Sequence, residues 1–251
     1  MSQIPKQIHY CWFGRNPLPE SAKKCIASWR KFLPDYEIIE WNEDNFDVNI
    51  IPYTAQAYSV GKYAFVSDYA RFKILYDFGG LYFDTDVEVI KPIDEIISTG
   101  PFLGFEINPH SETGRMAVNP GLGMGAVSGM PIYYSILDYY SRLNFFKEDN
   151  TLNLIDAVVN ITTRELKKVG LQNLPGKQEV AGITVYPACY FNPLDDATGK
   201  LNITPETVSI HWFSKTWCDK NSELRTKMVR VLHRMIGTDT TAIIKRFFGL
   251  K

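Results

Sequence analysis

No Cys-x-x-Cys pair and no zinc-type spacing occurs in these 251 residues, because the four cysteines, Cys11, Cys25, Cys189 and Cys218, are scattered. A cysteine-built metal module is thereby excluded, and four reduced thiols in a cytoplasmic protein are expected. No apolar run approaches the ~18 residues needed to span a bilayer. No secretory leader is expected either, since Met-Ser-Gln-Ile-Pro-Lys at the start runs directly into a strand pattern. Charge of one sign is not in excess: 27 Lys and Arg stand against 28 Asp and Glu, a net charge of −1. That balance argues against a general nucleic-acid binder, which would be clearly basic. Internal repeats and low-complexity linkers are lacking, so the length suits one large domain.

What is plentiful is aromatic, with 15 Phe, 14 Tyr and 5 Trp. A large core accounts for most of them, and flat faces that stack on sugars or bases for others. Lys6–Phe13 reads as a first strand ending at Gly14. Pro17–Leu33 reads as a helix, with Ala22, Ile26, Trp29 and Leu33 at helical spacing and Pro34 as its stop. Tyr36–Trp41 completes a strand–helix–strand unit of the kind that opens nucleotide-binding α/β layers. A helix over Tyr63–Phe78 is closed by Gly79, where positive φ is cheap only for glycine. A strand is then expected over Leu81–Ile90. Leu81, Phe83, Thr85, Val87 and Val89 would take one face, and Tyr82, Asp84, Asp86 and Glu88 the other. Further on, strands are expected at Phe102–Glu106, Ile183–Ala188 and Thr207–Trp212, helices at Pro131–Leu143 and Thr151–Val169, and a flexible glycine-rich loop at Asn119–Gly125.

The chemistry concentrates around Gly79-Gly80. Asp84 and Asp86, at i and i+2 on a strand, would leave the same side about 7 Å apart at Cα. Two such carboxylates repel when unpaired, and a hard divalent cation that also takes phosphate oxygens relieves them. Asp68 and Arg71, three apart on the preceding helix, can pair. On a surface such a pair is worth little, about 0–1 kcal/mol. In so apolar a run it should be partly buried.

Ile8-His-Tyr-Cys-Trp-Phe-Gly14, Ser67-Asp-Tyr-Ala-Arg71 and Gly79-Gly-Leu-Tyr-Phe-Asp-Thr-Asp86 resemble glycosyltransferase family 32. That family includes initiating α-1,6-mannosyltransferases and bacterial capsular polysaccharide sugar transferases. A more distant likeness is to the glucosyltransferase domain of large clostridial toxins. The resemblance implies an α/β GT-A type fold, with a central mixed sheet flanked by helices and a helical C-terminal extension. It implies retaining transfer of a hexose from a UDP- or GDP-sugar, with Asp84 and Asp86 on Mn²⁺ or Mg²⁺ and His211 as a third ligand. Trp12 would stack on the base, Asp68 hold sugar hydroxyls, and Arg71 hold the sugar or diphosphate. Tyr82 would lie by the diphosphate and Asn119 by the transferred sugar, with Ser214 and Trp217 capping the leaving group. Asp68, Arg71, Asp84 and Asp86 would be the catalytic set.

Relatives use GDP-mannose, UDP-galactose, UDP-glucose and UDP-N-acetylglucosamine, and no residue here selects among them. The acceptor would be a glycan or lipid-linked saccharide, in capsule, O-antigen or other surface polysaccharide synthesis. Within a single domain, 1–100 would bind the donor, 101–222 would face the acceptor and supply a closing loop, and 223–251 would be a basic amphipathic tail. That tail carries Arg225, Lys227, Arg230, Arg234, Lys245, Arg246 and Lys251 among apolar residues. It suits peripheral contact with an anionic membrane at the inner face of the plasma membrane, and equally an ordinary packed terminal helix. A haloacid-dehalogenase-type phosphatase also uses Asp-x-Asp, but wants Thr or Val where Glu88 stands. A non-catalytic carbohydrate-binding relic would have no need of the intact aspartate pair.

Overall fold

The structure, a computed structural model, describes residues 3–110, 114–149, 151–153, 156–214 and Arg230. Strand β1 (Gln7–Cys11), helix α1 (Glu20–Phe32) and strand β2 (Glu37–Trp41) come first, then helices α2 (Pro52–Ser59) and α3 (Tyr63–Phe78). Strands β3 (Gly80–Tyr82) and β4 (Val87–Val89), helix α4 (Asp94–Ser98) and strands β5 (Phe102–Ile107), β6 (Ala117–Val118) and β7 (Met124–Ala126) follow. Helices α5 (Pro131–Ser141) and α6 (Val158–Lys168), strands β8 (Gln178–Val180) and β9 (Ile183–Tyr186), helix α7 (Ala188–Phe191) and strand β10 (Ser209–His211) complete the described elements.

The main sheet runs β2-β1-β3-β7-β5-β9-β8, with β6 paired to β5; a separate ribbon joins β10 to β4. β1 is parallel to β2 and β3, β5 is parallel to β9, and the other pairs are antiparallel. The sheet is therefore mixed and flanked by helices, as expected. Alternation along the strands divides the core. Ile8, Tyr10 and Leu81 pack with Ile26 and Trp29 of α1 on one face. Cys11 and Tyr82 pack with residues of α2, α3, α5 and α6 on the other. The tail lies outside the described residues except Arg230, whose guanidinium donates to Asp196 Oδ1 at 2.7 Å. No described helix is long and apolar enough to cross a membrane. Cys11, Cys25 and Cys189 are free, and Cys218 lies outside the described residues.

The Gly79-Gly80 stop behaves as the sequence predicts. Gly79 has φ 67° and Gly80 φ 98°. A Cβ on Gly79 would stand 2.9 Å from Ala126 O, and one on Gly80 2.8 Å from Gln7 O. Only glycine fits both the conformation and the space.

The expected single strand over Leu81–Ile90 is instead two strands. After Tyr82 the chain turns, with Val87 N donating to Asp84 O at 3.0 Å, and β4 leaves the main sheet to pair with β10. Side chains of α1 hold β4 in its new place. Trp29 Nε1 donates to Val87 O at 2.8 Å, and Ser28 Oγ accepts from Val89 N at 2.9 Å. The alternation of Leu81, Phe83, Thr85, Val87 and Val89 runs unbroken through this turn, so periodicity could not reveal it. Helix α6 likewise begins at Val158 and not Thr151, because Leu152 bridges to Phe146. The glycine-rich loop gives way to strand at Met124, and the strand from Ile183 stops before Pro187.

His9 is a structural histidine. It is fully buried, Nε2 lies 3.0 Å from Gly79 O, and Nδ1 lies 3.1 Å from Trp41 Nε1. A carbonyl only accepts and an indole N–H only donates, so the ring is the neutral Nε2–H tautomer. Burial lowers its pKa from 6.5 to about 4, against the opposing pull of Gly79 O and Glu37. Because the folded value is lowered, the unfolded chain takes up this proton first as pH falls. Stability from the neutral ring is whole above pH 6.5 and is lost on descent to about pH 4. Urea unfolding is expected to show this loss at about 3 kcal/mol, and His9→Gln to flatten it. Equal pH slopes in the two proteins would assign the loss to other groups.

Candidate active site

The turn after β3 places Asp84 and Asp86 beyond the carboxyl ends of the parallel strands β1 and β3, where open α/β sheets bind their ligands. Asp84 is held from several sides. Tyr82 OH donates to its Oδ1 at 3.0 Å, and Arg71 Nη2 stands 3.3 Å from the same oxygen. Its backbone N donates to Gly121 O at 3.2 Å. Asp86 faces the late strand. His211 Nε2 lies 3.1 Å from its Oδ1, while Ser214 N and Oγ donate to its Oδ2 at 2.8 and 3.0 Å. The antiparallel register of β4 on β10, pairing Val87 with His211, brings the histidine to this turn.

Arg71 is only 4% exposed and lies between two acids. Its Nη2 reaches Asp68 Oδ1 at 2.9 Å, its Nε donates to Ser67 O at 3.1 Å, and its guanidinium rests 5.1 Å from the Tyr82 ring centre. Asp68 and Arg71 are thus not a surface pair: the arginine is buried and the aspartate partly so. Burial raises the Asp68 carboxyl to about 6, against the pull of Arg71 and with Asp84 adding to the rise. Burial disfavours the Arg71 charge, but Asp84, Tyr82 and Asp68 outweigh it and hold its pKa above the usual arginine value. Burial would also raise Asp86, yet His211 and Ser214 hold it well below the carboxylate range. Burial opposes a charge on His211, and the facing Asp86 overcomes it and raises the pKa. Cys11, pushed up to about 12 mainly by burial, is no nucleophile.

Asp84, Asp86 and His211 each offer one ligand atom, and these atoms lie within 4.8 Å of one another. A cation about 2.0–2.3 Å from each would hold neighbouring donor atoms about 3 Å apart, so the side chains would close in around it. Two carboxylates suit Mg²⁺ or Mn²⁺, and an imidazole in the set is at home on transition ions. Bound there, the cation would replace the proton that His211 shares with Asp86. The donor chemistry of these residues fits a divalent ion.

Asn119 reaches the cluster indirectly. Its Oδ1 accepts from Gly121 N at 2.7 Å. Trp12, at the end of β1, is partly buried, and its indole N–H donates to Asn16 O at 2.6 Å. Its loop is tied down by Gly14 N, which donates to Glu43 Oε1 at 2.6 Å. Trp217 lies outside the described residues. Sequence reasoning missed Gly121 as a contact residue. A Cβ there would meet Asp84 Oδ2 at 2.1 Å and Arg71 Nη1 at 3.1 Å. The glycine-rich loop carried a hint of close approach, but nothing said to what.

Residues 19–103 match a family described as the glycosyltransferase sugar-binding region containing DXD motif. Over that third of its length the chain is similar to DXD-type glycosyltransferases. Asp84 and Asp86, the pair at the turn, lie within the matched segment. Inositol phosphoceramide mannosyltransferase 1 of Schizosaccharomyces pombe is 30% identical over 114 residues, covering 41% of this chain and 34% of the relative. Initiation-specific alpha-1,6-mannosyltransferase of Candida albicans is 26% identical over 195 residues, 70% of this chain and 48% of the relative. The chain thus spans a third to a half of the length of these two relatives. Among solved structures, the PaToxG glycosyltransferase superposes with a TM-score of 0.48 at 22% identity, covering 66% of this chain and 69% of that one. His211 and Ser214 stand far beyond the sugar-binding region, which alone therefore does not complete the cluster.

Proposed function

We propose that this chain is a metal-dependent retaining glycosyltransferase of GT-A type that moves a hexose from a nucleotide-sugar to a glycan or lipid-linked saccharide. The convergence of Asp84, Asp86 and His211 within 4.8 Å carries this reading, beside a buried arginine held by Asp68 and Asp84. In it Asp84, Asp86 and His211 hold Mn²⁺ or Mg²⁺. Trp12 offers its ring to the base, and Ser214 and Trp217 close over the leaving group. A bound cation would supply Lewis-acid stabilisation of the charge that develops on a departing diphosphate.

The chain's own groups do the rest. Arg71, fixed between two carboxylates, keeps a positive charge beside the diphosphate without needing to reorganise. Tyr82 OH, already on Asp84, lies in the same cluster. The second oxygen of Asp68 is available to sugar hydroxyls, and the Asn119 amide lies toward the transferred sugar. The carboxylates of the cluster are engaged by Arg71, Tyr82, His211 and Ser214, which favours same-face attack over a covalent glycosyl-enzyme. The mannosyltransferase names of the relatives make GDP-mannose the first donor to try. We read 1–100 as the donor half, 101–222 as the acceptor side, and the basic tail as a peripheral membrane contact of a cytoplasmic enzyme of surface polysaccharide synthesis.

A panel of GDP- and UDP-sugars with Mn²⁺, assayed for nucleotide release, tests the proposal. Release from one donor, lost with EDTA and restored by Mn²⁺, is expected. Turnover of p-nitrophenyl phosphate with no nucleotide release would overturn it in favour of a phosphatase.

A further inference from the structure

Glu106 stands near the end of β5, outside the sugar-binding region and outside every motif in the sequence. Its position is unusual. β5 pairs with β6 through Phe105–Val118 and Ile107–Ala117, so two steps on β5 oppose one step on β6 and Glu106 is the extra residue of a β-bulge. Bulges re-aim a side chain and gather beside active sites. Here the bulge sends the Glu106 carboxylate to Asn119, whose Nδ2 donates to Glu106 Oε2 at 2.7 Å. The strand end is braced from behind by Asn192 Nδ2, which donates to Glu106 O at 3.2 Å.

The contact fixes the polarity of the Asn119 amide. A carboxylate only accepts, so the amide nitrogen must face Glu106 and the amide oxygen must face Gly121 N, which it meets at 2.7 Å. Gly121 O in turn accepts from Asp84 N at 3.2 Å, and a Cβ on Gly121 would run into the Asp84 carboxylate. An unbroken relay runs from Glu106 through Asn119 and Gly121 to Asp84.

The geometry points to Glu106 as a positioning residue for the cation and donor site, acting through Asn119 and Gly121 on Asp84. This rests on Asp84 being a cation ligand, as proposed above. Outer partners of metal ligands are worth about 10–100-fold in metal affinity. Because Glu106 acts through two intervening residues, Mn²⁺ binding to the full chain, followed by electron paramagnetic resonance without any sugar donor, is expected to weaken by about 10-fold, the low end of that range, in Glu106→Ala. Glu106→Gln should recover most of that loss, because its amide oxygen accepts the same Asn119 N–H. Asn119→Ala breaks the relay from the other side, and adding Glu106→Ala to it should weaken binding no further; this pair serves if Glu106→Ala alone does not fold.

Equal Mn²⁺ affinity in wild type and Glu106→Ala would overturn the inference and leave the proposed function standing. Equal weakening in Glu106→Ala and Glu106→Gln would also overturn it, since charge and not hydrogen bonding would then be what matters. No Mn²⁺ binding to wild type would take down both.

Discussion

Asp86→Asn is expected to fold normally, to bind Mn²⁺ far more weakly, and to lose about a thousandfold or more of nucleotide-sugar turnover. The fold should survive because the contacts that Asp86 makes with protein groups can be met by an amide. Asn Oδ1 can accept from Ser214 N and Oγ, which now donate to Asp86 Oδ2 at 2.8 and 3.0 Å, and Asn Nδ2 can face His211. What the amide lacks is charge. With it gone, one of the two anionic ligands is removed and His211 loses the group that raises its pKa. Circular dichroism and thermal unfolding should match wild type, while Mn²⁺ titration and nucleotide release should not. Transfer activity surviving in Asp86→Asn would remove Asp86 from the cation site.

Gly121→Ala is expected to have an effect nearly as large from a single methyl group. Gly121 is not among the residues of positive φ, so alanine meets no backbone penalty there. The methyl would instead stand 2.1 Å from Asp84 Oδ2 and 3.0 Å from Asp84 Cγ. One side must move, and the Asp84 side chain is the freer. A displacement of about 1 Å at a reacting centre can cost about a hundredfold in rate, and a similar loss in nucleotide release is expected. Thermal stability should fall as well, because displacing the carboxylate loosens its contacts with Tyr82 and the buried Arg71. Unchanged turnover and Mn²⁺ affinity would mean that the glycine loop, and not Asp84, gives way.

How much of this was legible in the sequence depended on whether the information was local. The opening strand–helix–strand, the helix to Phe78 and the glycine stop were readable because apolar spacing, proline and positive φ act within a few residues. That Asp84 and Asp86 would gather with Asp68 and Arg71 was readable from residue type and spacing. Their geometry was not. A period-two pattern continues through the turn at Asp84–Val87, and only the pull of α1 and β10 on β4 shows that the strand breaks there. Glu106 and Gly121 were illegible for a related reason. A lone glutamate on a strand and a glycine in a loop look like any others until β5, β6 and the loop fold against Asp84. His211 was named only through the family resemblance, and the β4–β10 register supplies the physical reason for its place.

That two-stranded ribbon has a consequence for the order in which the acidic cluster is assembled. β4 carries the aspartate turn and β10 the histidine, and Ser214 bonds to Asp86 across 128 positions of chain. During synthesis the parallel strands and their helices can form early, around two acids that repel each other with only Arg71 and Tyr82 to steady them. His211 emerges from the ribosome late, after most of the sheet has been made. A nascent chain is therefore a nearly finished scaffold in which Asp86 still lacks His211 and Ser214, and the cluster is complete only once β10 pairs with β4.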